Sequence, residues 1–234
     1  MSPTALDDRR LGTKSTKPLV VWVGALVIFL LLVALVRYDS ARLDTLDTAI
    51  HHWVVGHRST SSVNVAAFVT RFGASVAVVP LVFVGAVFAA PGVLTKRLQL
   101  AGLSSALLAS GLIVRLVVAQ LVARPRPPVA DWAAAASGYA FPSGHTTGAA
   151  IAAGLLAWLT LQRGTLSHRT RLLVWSIAGA FAGGVGITRA WLGVHWPSDV
   201  LGGWAFALTW TTMSILFVSH AGLVGDGRVH PKRE

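Results

Sequence analysis

"PLVVWVGALVIFLLLVALV", residues 18–36, runs the length of a bilayer without one ionisable side chain. An α-helix rises about 1.5 Å per residue, so roughly 20 apolar residues cover a hydrocarbon core about 30 Å thick. Apolar residues elsewhere in the chain also come in runs near this length rather than in alternating patterns. Further stretches fall at about 65–89, 98–123, 146–161, 172–188 and 199–219. The pattern predicts an all-α integral membrane protein, a bundle of six transmembrane helices over 18–219, with cytoplasmic tails at 1–17 and 220–234.

The bulk composition agrees with that class: 54% of the 234 residues are hydrophobic and the mean hydropathy is +0.65. The first apolar run exceeds the core of a secretion signal and no small-x-small cleavage site follows it, so it is expected to stay as an anchor. Cysteine is absent, which excludes a disulfide framework and a thiolate metal site. A net charge of +11 would suggest nucleic acid in a soluble protein. Here the basic residues sit mainly in short loops and tails, so nucleic acid is not an expected partner; the bilayer and a membrane lipid are.

Counted by side, those residues set an orientation. Twelve lie in the amino tail (Arg9, Arg10, Lys14, Lys17), the second loop (Lys96, Arg97), the fourth loop (Arg163, Arg169, Arg171) and the carboxyl tail (Arg228, Lys232, Arg233). Six lie in the first, third and fifth loops: Arg37, Arg42, Arg58, Arg124, Arg126 and Arg189. The positive-inside rule therefore puts both termini in the cytoplasm and the odd-numbered loops outside.

Three polar clusters fall on that outer side: "ARPRPP" at 123–128, "FPSGHTT" at 141–147 and "TRAWLGVHWPSD" at 188–199. Arg126 stands between Pro125 and Pro127 on a stiff backbone, a good support for bidentate contact with phosphate oxygens. Pro142-Ser143-Gly144-His145 opens an apolar helix, so backbone N–H groups and the positive end of the helix dipole face whatever binds there. Gly144 permits close backbone approach and Ser143 adds a hydroxyl donor. Pro197 marks the first position of the last helix, which puts Asp199 at the third, able to reach back to His195. A carboxylate accepting the imidazole Nδ1–H leaves Nε2 as the nucleophilic nitrogen. Arg189 can then hold an anion, His195 attack it and Asp199 orient His195.

These motifs resemble those of the type 2 phosphatidic acid phosphatases, the PAP2 family, which share a fold core with vanadium haloperoxidases. The family pattern is lysine, six residues, Arg-Pro; then Pro-Ser-Gly-His; then Ser-Arg, five residues, His, three residues, Asp. The second is complete at 142–145, and the third runs from Arg189 to Asp199 with Thr188 in the serine place. The first departs: Ala119, seven residues before Arg126, stands where the family has lysine, and counting from Arg124 gives Val117.

The resemblance implies a PAP2-like helical core and metal-independent phosphoryl transfer without a cofactor. His195 would attack phosphorus and become a phosphohistidine, while His145 protonates the leaving oxygen and later deprotonates water. Asp199 would support His195; Arg126, Arg189, Ser143 and the Gly144 N–H would hold the equatorial oxygens. The expected substrate is a lipid phosphate or diphosphate on the outer face, a polyprenyl diphosphate such as a cell-wall carrier lipid ahead of a glycerolipid phosphate. The competing reading is a non-catalytic lipid-phosphate binding protein.

Arg115 lies one turn before Ala119, deeper in the third span, where a charge marks a functional site by default. It is expected either to reach the outer site in place of the lysine or to be neutralised within the bundle, with Arg71 in the second span as a further cation. A facial-triad metal site at the two histidines and Asp199 is disfavoured, because Arg126 and Arg189 repel a divalent cation. Ser143 lacks the flanking glycines of a nucleophile elbow. His51, His52, His57, His168, His220 and His230 are expected to be structural. "GHTTG" (144–148) and "GAFAG" (179–183) are expected to permit close helix approach, and the tryptophans to be interface anchors, with Trp191 and Trp196 as possible site neighbours. Leu43, Leu46, Ile50 and Val54 predict an amphipathic helix on the outer surface.

Overall fold

The computed structural model describes residues 16–38, 40–164 and 166–222; nearly all of both expected tails, and His230, lie outside them. Eight α-helices carry the described chain: α1 (Lys17–Tyr38), α2 (Ser40–Gly56), α3 (Thr60–Thr70), α4 (Ser75–Ala89), α5 (Leu94–Val122), α6 (Gly144–Leu161), α7 (His168–Trp191) and α8 (Pro197–His220), with short 3-10 turns at Arg71–Gly73 and Val129–Asp131. Local sequence fixes several of the starts. Ser59 and Ser62 exchange side chain to backbone hydrogen bonds in a capping box ahead of α3, Ser167 caps α7, and Pro197 sits at the first position of α8.

Four helices are long and apolar enough to cross a membrane by themselves: α1, α5, α7 and α8. The pair α3 and α4 makes a fifth candidate, bent by 60° at its break. Five of the six expected spans meet this test, the second of them as the bent pair, and the second and fourth have features that a plain apolar span lacks. The second run is interrupted at Gly73, which is buried against α6 and α7: a Cβ there would collide with the Val185 side chain and lie 3.1 Å from the His145 carbonyl oxygen. The helix breaks where the chain needs a residue without a side chain. The fourth run, α6, opens with polar Gly-His-Thr-Thr and packs against α4, α5, α7 and α8. A helix lined by protein does not need the uniform apolar surface that lipid contact demands.

Around that central helix the exterior is apolar. α1 and α7 bury few side chains and present leucine, isoleucine, valine and tryptophan outward, as lipid-facing helices do. The chain is a multi-pass membrane protein. α1 joins the bundle through Phe29, whose ring stacks on Phe141 at 6.2 Å and meets the edge of Phe206 at 5.3 Å. Gly202 on α8 leaves the space that the Phe141 ring fills. That packing pins the residue just before Pro142, so the turn leading into α6 is held by the core.

Helix α2 turns a polar face to the protein. Leu46 and Ile50 are exposed, while the buried positions are Asp47, His51 and Val54. These are one helical face at i, i+4 and i+7, and two of the three are polar. The small-residue patterns also divide. Gly144 and Gly148 meet side chains of α5 and α4, whereas Gly179 and Gly183 face open space.

Candidate active site

The carboxyl end of α5, the amino end of α6, the carboxyl end of α7 and the amino end of α8 converge at one end of the bundle. Chain reversal there starts with Ala123, whose left-handed backbone (φ 52°) ends α5 and sends the two arginines of "ARPRPP" to different partners. For a residue with a Cβ this conformation is uncommon and is retained where the surroundings demand it.

His195, in the loop before α8, is buried. Its Nδ1 lies 3.3 Å from Asp199 Oδ2, which also accepts the Trp196 N–H at 2.8 Å. Asp199 occupies the third position of α8 and reaches back across the helix start, as its spacing predicts. At the other side of the ring, Arg126 Nη1 donates to Nε2 at 2.9 Å. A guanidinium has no lone pair to offer, so Nε2 is the unprotonated nitrogen and Nδ1–H points to the carboxylate. Burial, then the charges of Arg126, Arg189 and Arg115, hold the His195 pKa well below the ordinary histidine range.

Arg126 is fixed by backbone: it donates to the carbonyls of Gly138, Ser137, Tyr139 and Val194. Arg189 is buried, donates to the Thr70 hydroxyl at 3.0 Å, and leaves its Nε without a partner. Arg115 is buried too. Its side chain extends out of α5, donates from Nε to the Pro142 carbonyl at 2.6 Å, and sets its guanidinium beside Gly144. Arg115 thus lies at the turn that opens α6, while Arg71 is exposed at the corner between α3 and α4. Among the described residues, Arg115, Arg126 and Arg189 have no carboxylate ion-pair partner; the salt bridges formed are those of Arg124, His51 and His195.

Ser143 is buried, its backbone N–H donates to the Asp199 carbonyl, and its Oγ accepts from Thr146 Oγ1 at 2.9 Å, which leaves the Ser143 hydroxyl proton to donate elsewhere. Gly144 is the first residue of α6, so its N–H is among those the helix itself leaves unpaired. His145 follows, half-buried, close enough to Arg189, His195, Arg115 and Arg126 for all four to act on it electrostatically. Every expected site residue is thus gathered at this end.

Sequence patterns missed a second group. Arg124 donates to Asp199 Oδ1 at 2.8 Å, Ser198 Oγ at 2.6 Å, Asp47 Oδ2 at 2.7 Å and Asp44 Oδ1 at 3.2 Å. Burial lowers its pKa, but the Asp199 and Asp47 carboxylates outweigh that and raise it. Its place in "ARPRPP" was visible, its direction was not. Trp196 lies beside the site, donating to the Pro125 carbonyl, while Trp191 turns to α3 and donates to Ser62 Oγ.

The PAP2 superfamily model matches residues 99–222, from α5 through α8, the segment that carries all three clusters. The chain belongs to the PAP2 superfamily. It is 31% identical over 188 residues to phosphatidylglycerophosphatase B of Bacillus subtilis (strain 168), covering 80% of this chain and 89% of that protein. A shorter match, 38% over 79 residues, links it to phosphatidylglycerophosphatase B of Escherichia coli (strain K12), over 34% of this chain and 28% of that one. Its fold is similar to the crystal structure of a transmembrane PAP2 type phosphatidylglycerolphosphate phosphatase from Bacillus subtilis, with a TM-score of 0.75 and 25% identity, over 94% of this chain and 100% of the other. This PAP2 protein is a lipid phosphatase by family, a phosphoric monoester hydrolase.

Proposed function

We propose that this PAP2 phosphatase removes phosphate from a lipid phosphate monoester at the outer face of the membrane, through a phosphohistidine at His195. The observation that carries this reading is the set of three guanidinium groups, Arg115 and Arg189 buried and Arg126 half-buried, none paired to a carboxylate among the described residues, around an unprotonated His195 Nε2. Buried cations without counter-charges favour a dianionic ligand there. A phosphate drawn in by Arg126 replaces the arginine's contact with Nε2. His195 Nε2 then bonds to phosphorus as the bond from phosphorus to the lipid oxygen breaks, and His145 supplies the proton that oxygen takes. Water, giving its proton to His145, attacks phosphorus in the second step, breaks the P–N bond and releases phosphate. Arg115, Arg126, Arg189, Ser143 and the Gly144 N–H stabilise the equatorial oxygens.

An amphiphilic substrate is favoured by the apolar groove between α2, α7 and α8, bordered by Trp53, Ile187, Trp191, Leu201 and Trp204. The names of the relatives put a phosphatidylglycerophosphate-like glycerolipid ahead of the polyprenyl diphosphate that the family resemblance implied. The outer-face placement rests on the loop charge count. The test is phosphate release by purified protein in liposomes with a chelator present, from phosphatidylglycerophosphate, phosphatidate and a polyprenyl diphosphate separately. Turnover is expected to be fastest on the first and to vanish in His195→Ala. Turnover retained in His195→Ala, or abolished by chelator, overturns the mechanism.

A further inference from the structure

The reaction as described leaves unused a line of buried charge behind Asp199. Asp47 on α2 is 3% exposed. It accepts the Ser198 N–H at 2.9 Å, the Ser198 hydroxyl, and Arg124 Nη2 at 2.7 Å. Arg124, itself 7% exposed, carries the line on to Asp199 Oδ1 at 2.8 Å. Asp199 Oδ2 is turned to His195. We infer that Asp47 and Arg124 are positioning residues for the reaction, a brace running from the surface helix α2 to the orienting carboxylate. The inference rests on His195 being the nucleophile.

Three observations converge on it. Burying a carboxylate is costly unless it is paired, and the partners of Asp47 are Ser198 and Arg124, both in contact with or next to Asp199. Arg124 is also committed: its two Nη nitrogens are engaged by three carboxylates and a hydroxyl, which leaves little of it for a phosphate. Finally, the two arginines of "ARPRPP" meet opposite ends of one pair, Arg126 at His195 Nε2 and Arg124 at Asp199 Oδ1.

The consequence is geometric. His195 gains positive charge when it takes the phosphoryl group, and Asp199 must face Nδ1 at that moment. With Oδ1 held by Arg124, rotation of the carboxylate away from the ring means breaking a buried charge-assisted bond. Asp47 keeps Arg124 in that position.

The test compares full-length wild type, His195→Ala, Asp47→Asn, Arg124→Gln and the Asp47→Asn/Arg124→Gln double variant on one lipid phosphate, with rates expressed per folded enzyme from thermal melting. Asp47→Asn should lower kcat about tenfold or more, and Arg124→Gln about a hundredfold, with KM within about twofold, by analogy with losses seen when a group orienting a reactive side chain is removed. Because both act through Asp199, the double variant should be no more than about twofold worse than Arg124→Gln, where independent sites would multiply. A second readout keeps the test open if Arg124→Gln folds poorly. Arg124 borders a cavity of roughly 480 Å³ beside Asp44 and Trp196, so added guanidinium should restore part of the kcat of Arg124→Ala. Wild-type kcat in Asp47→Asn, losses confined to KM, multiplying losses, or no response to guanidinium would overturn the brace. Activity in His195→Ala would instead overturn the nucleophile on which it stands.

Discussion

His195 is enclosed between a carboxylate and a guanidinium, and the protonation state follows from that enclosure. Its pKa is lowered by burial and by Arg126, Arg189 and Arg115, so the neutral, nucleophilic form persists as pH falls through the ordinary histidine value of about 6.5. The acid limb of kcat/KM should therefore lie below that value; a limb at or above it would contradict the assignment. Asp199→Asn should reduce kcat severely, on the order of 10⁴ by comparison with a serine-protease triad. Arg115 makes the sharpest case at this scale, since its guanidinium reaches the Pro142–Gly144 turn in a chain with Ala119 where the family pattern has lysine. Arg115→Ala should depress turnover and raise KM, and adding Ala119→Lys should restore much of both; a fully active Arg115→Ala enzyme would remove Arg115 from the phosphate cage. The His195 and Asp199 relation was legible in the sequence because it spans one helical turn and Pro197 marks the helix start. Asp47 was not, because its partner Ser198 is 151 residues away and no local spacing encodes a contact of that range.

At the level of elements, the corner between α3 and α4 decides how close α6 approaches. Gly73 stacks directly on the His145 backbone and Val185, and Thr70, just before it, accepts from Arg189. Gly73→Val should destabilise the protein by about 1–3 kcal/mol, the usual range for overpacking, and lower kcat further than the lost folded fraction explains, because His145 and Arg189 both shift. Unchanged kcat per folded molecule would confine the corner to a structural role. Hydropathy located the second span but not its break: Gly73 and its neighbours are as compatible with a continuous apolar run as with a corner. The need for the break arises from a helix that comes later in the chain. For α2 the sequence signal is incomplete. Its apolar residues do fall at helical spacing, but the buried charges of Asp47 and Arg124 decide which face turns inward.

Across the whole molecule, the residues of the site come from five helices and two loops, and the apolar surface that holds these together in lipid is carried mostly by α1, α5, α7 and α8. The central helix, at 18 residues with a polar opening, is shorter than the 24 residues of α7 and of α8, which bears on how the chain is made. As α6 leaves the ribosome, the polar Gly-His-Thr-Thr opening leaves it an apolar stretch short of the roughly 20 residues that cover a hydrocarbon core, whereas α7 and α8 have the length to do so. A nascent chain halted after Leu161 should therefore leave a reporter tag on α6 distributed between the two sides of the bilayer, while chains extended through Trp191 or His220 should fix it on one. A single fixed location already at Leu161 would mean that α6 enters unaided. If the tag is fixed only in the longer chains, the helix that carries the Ser143-Gly144-His145 turn is a guest in the bilayer, admitted late, with the chemistry assembled only when its neighbours have closed around it.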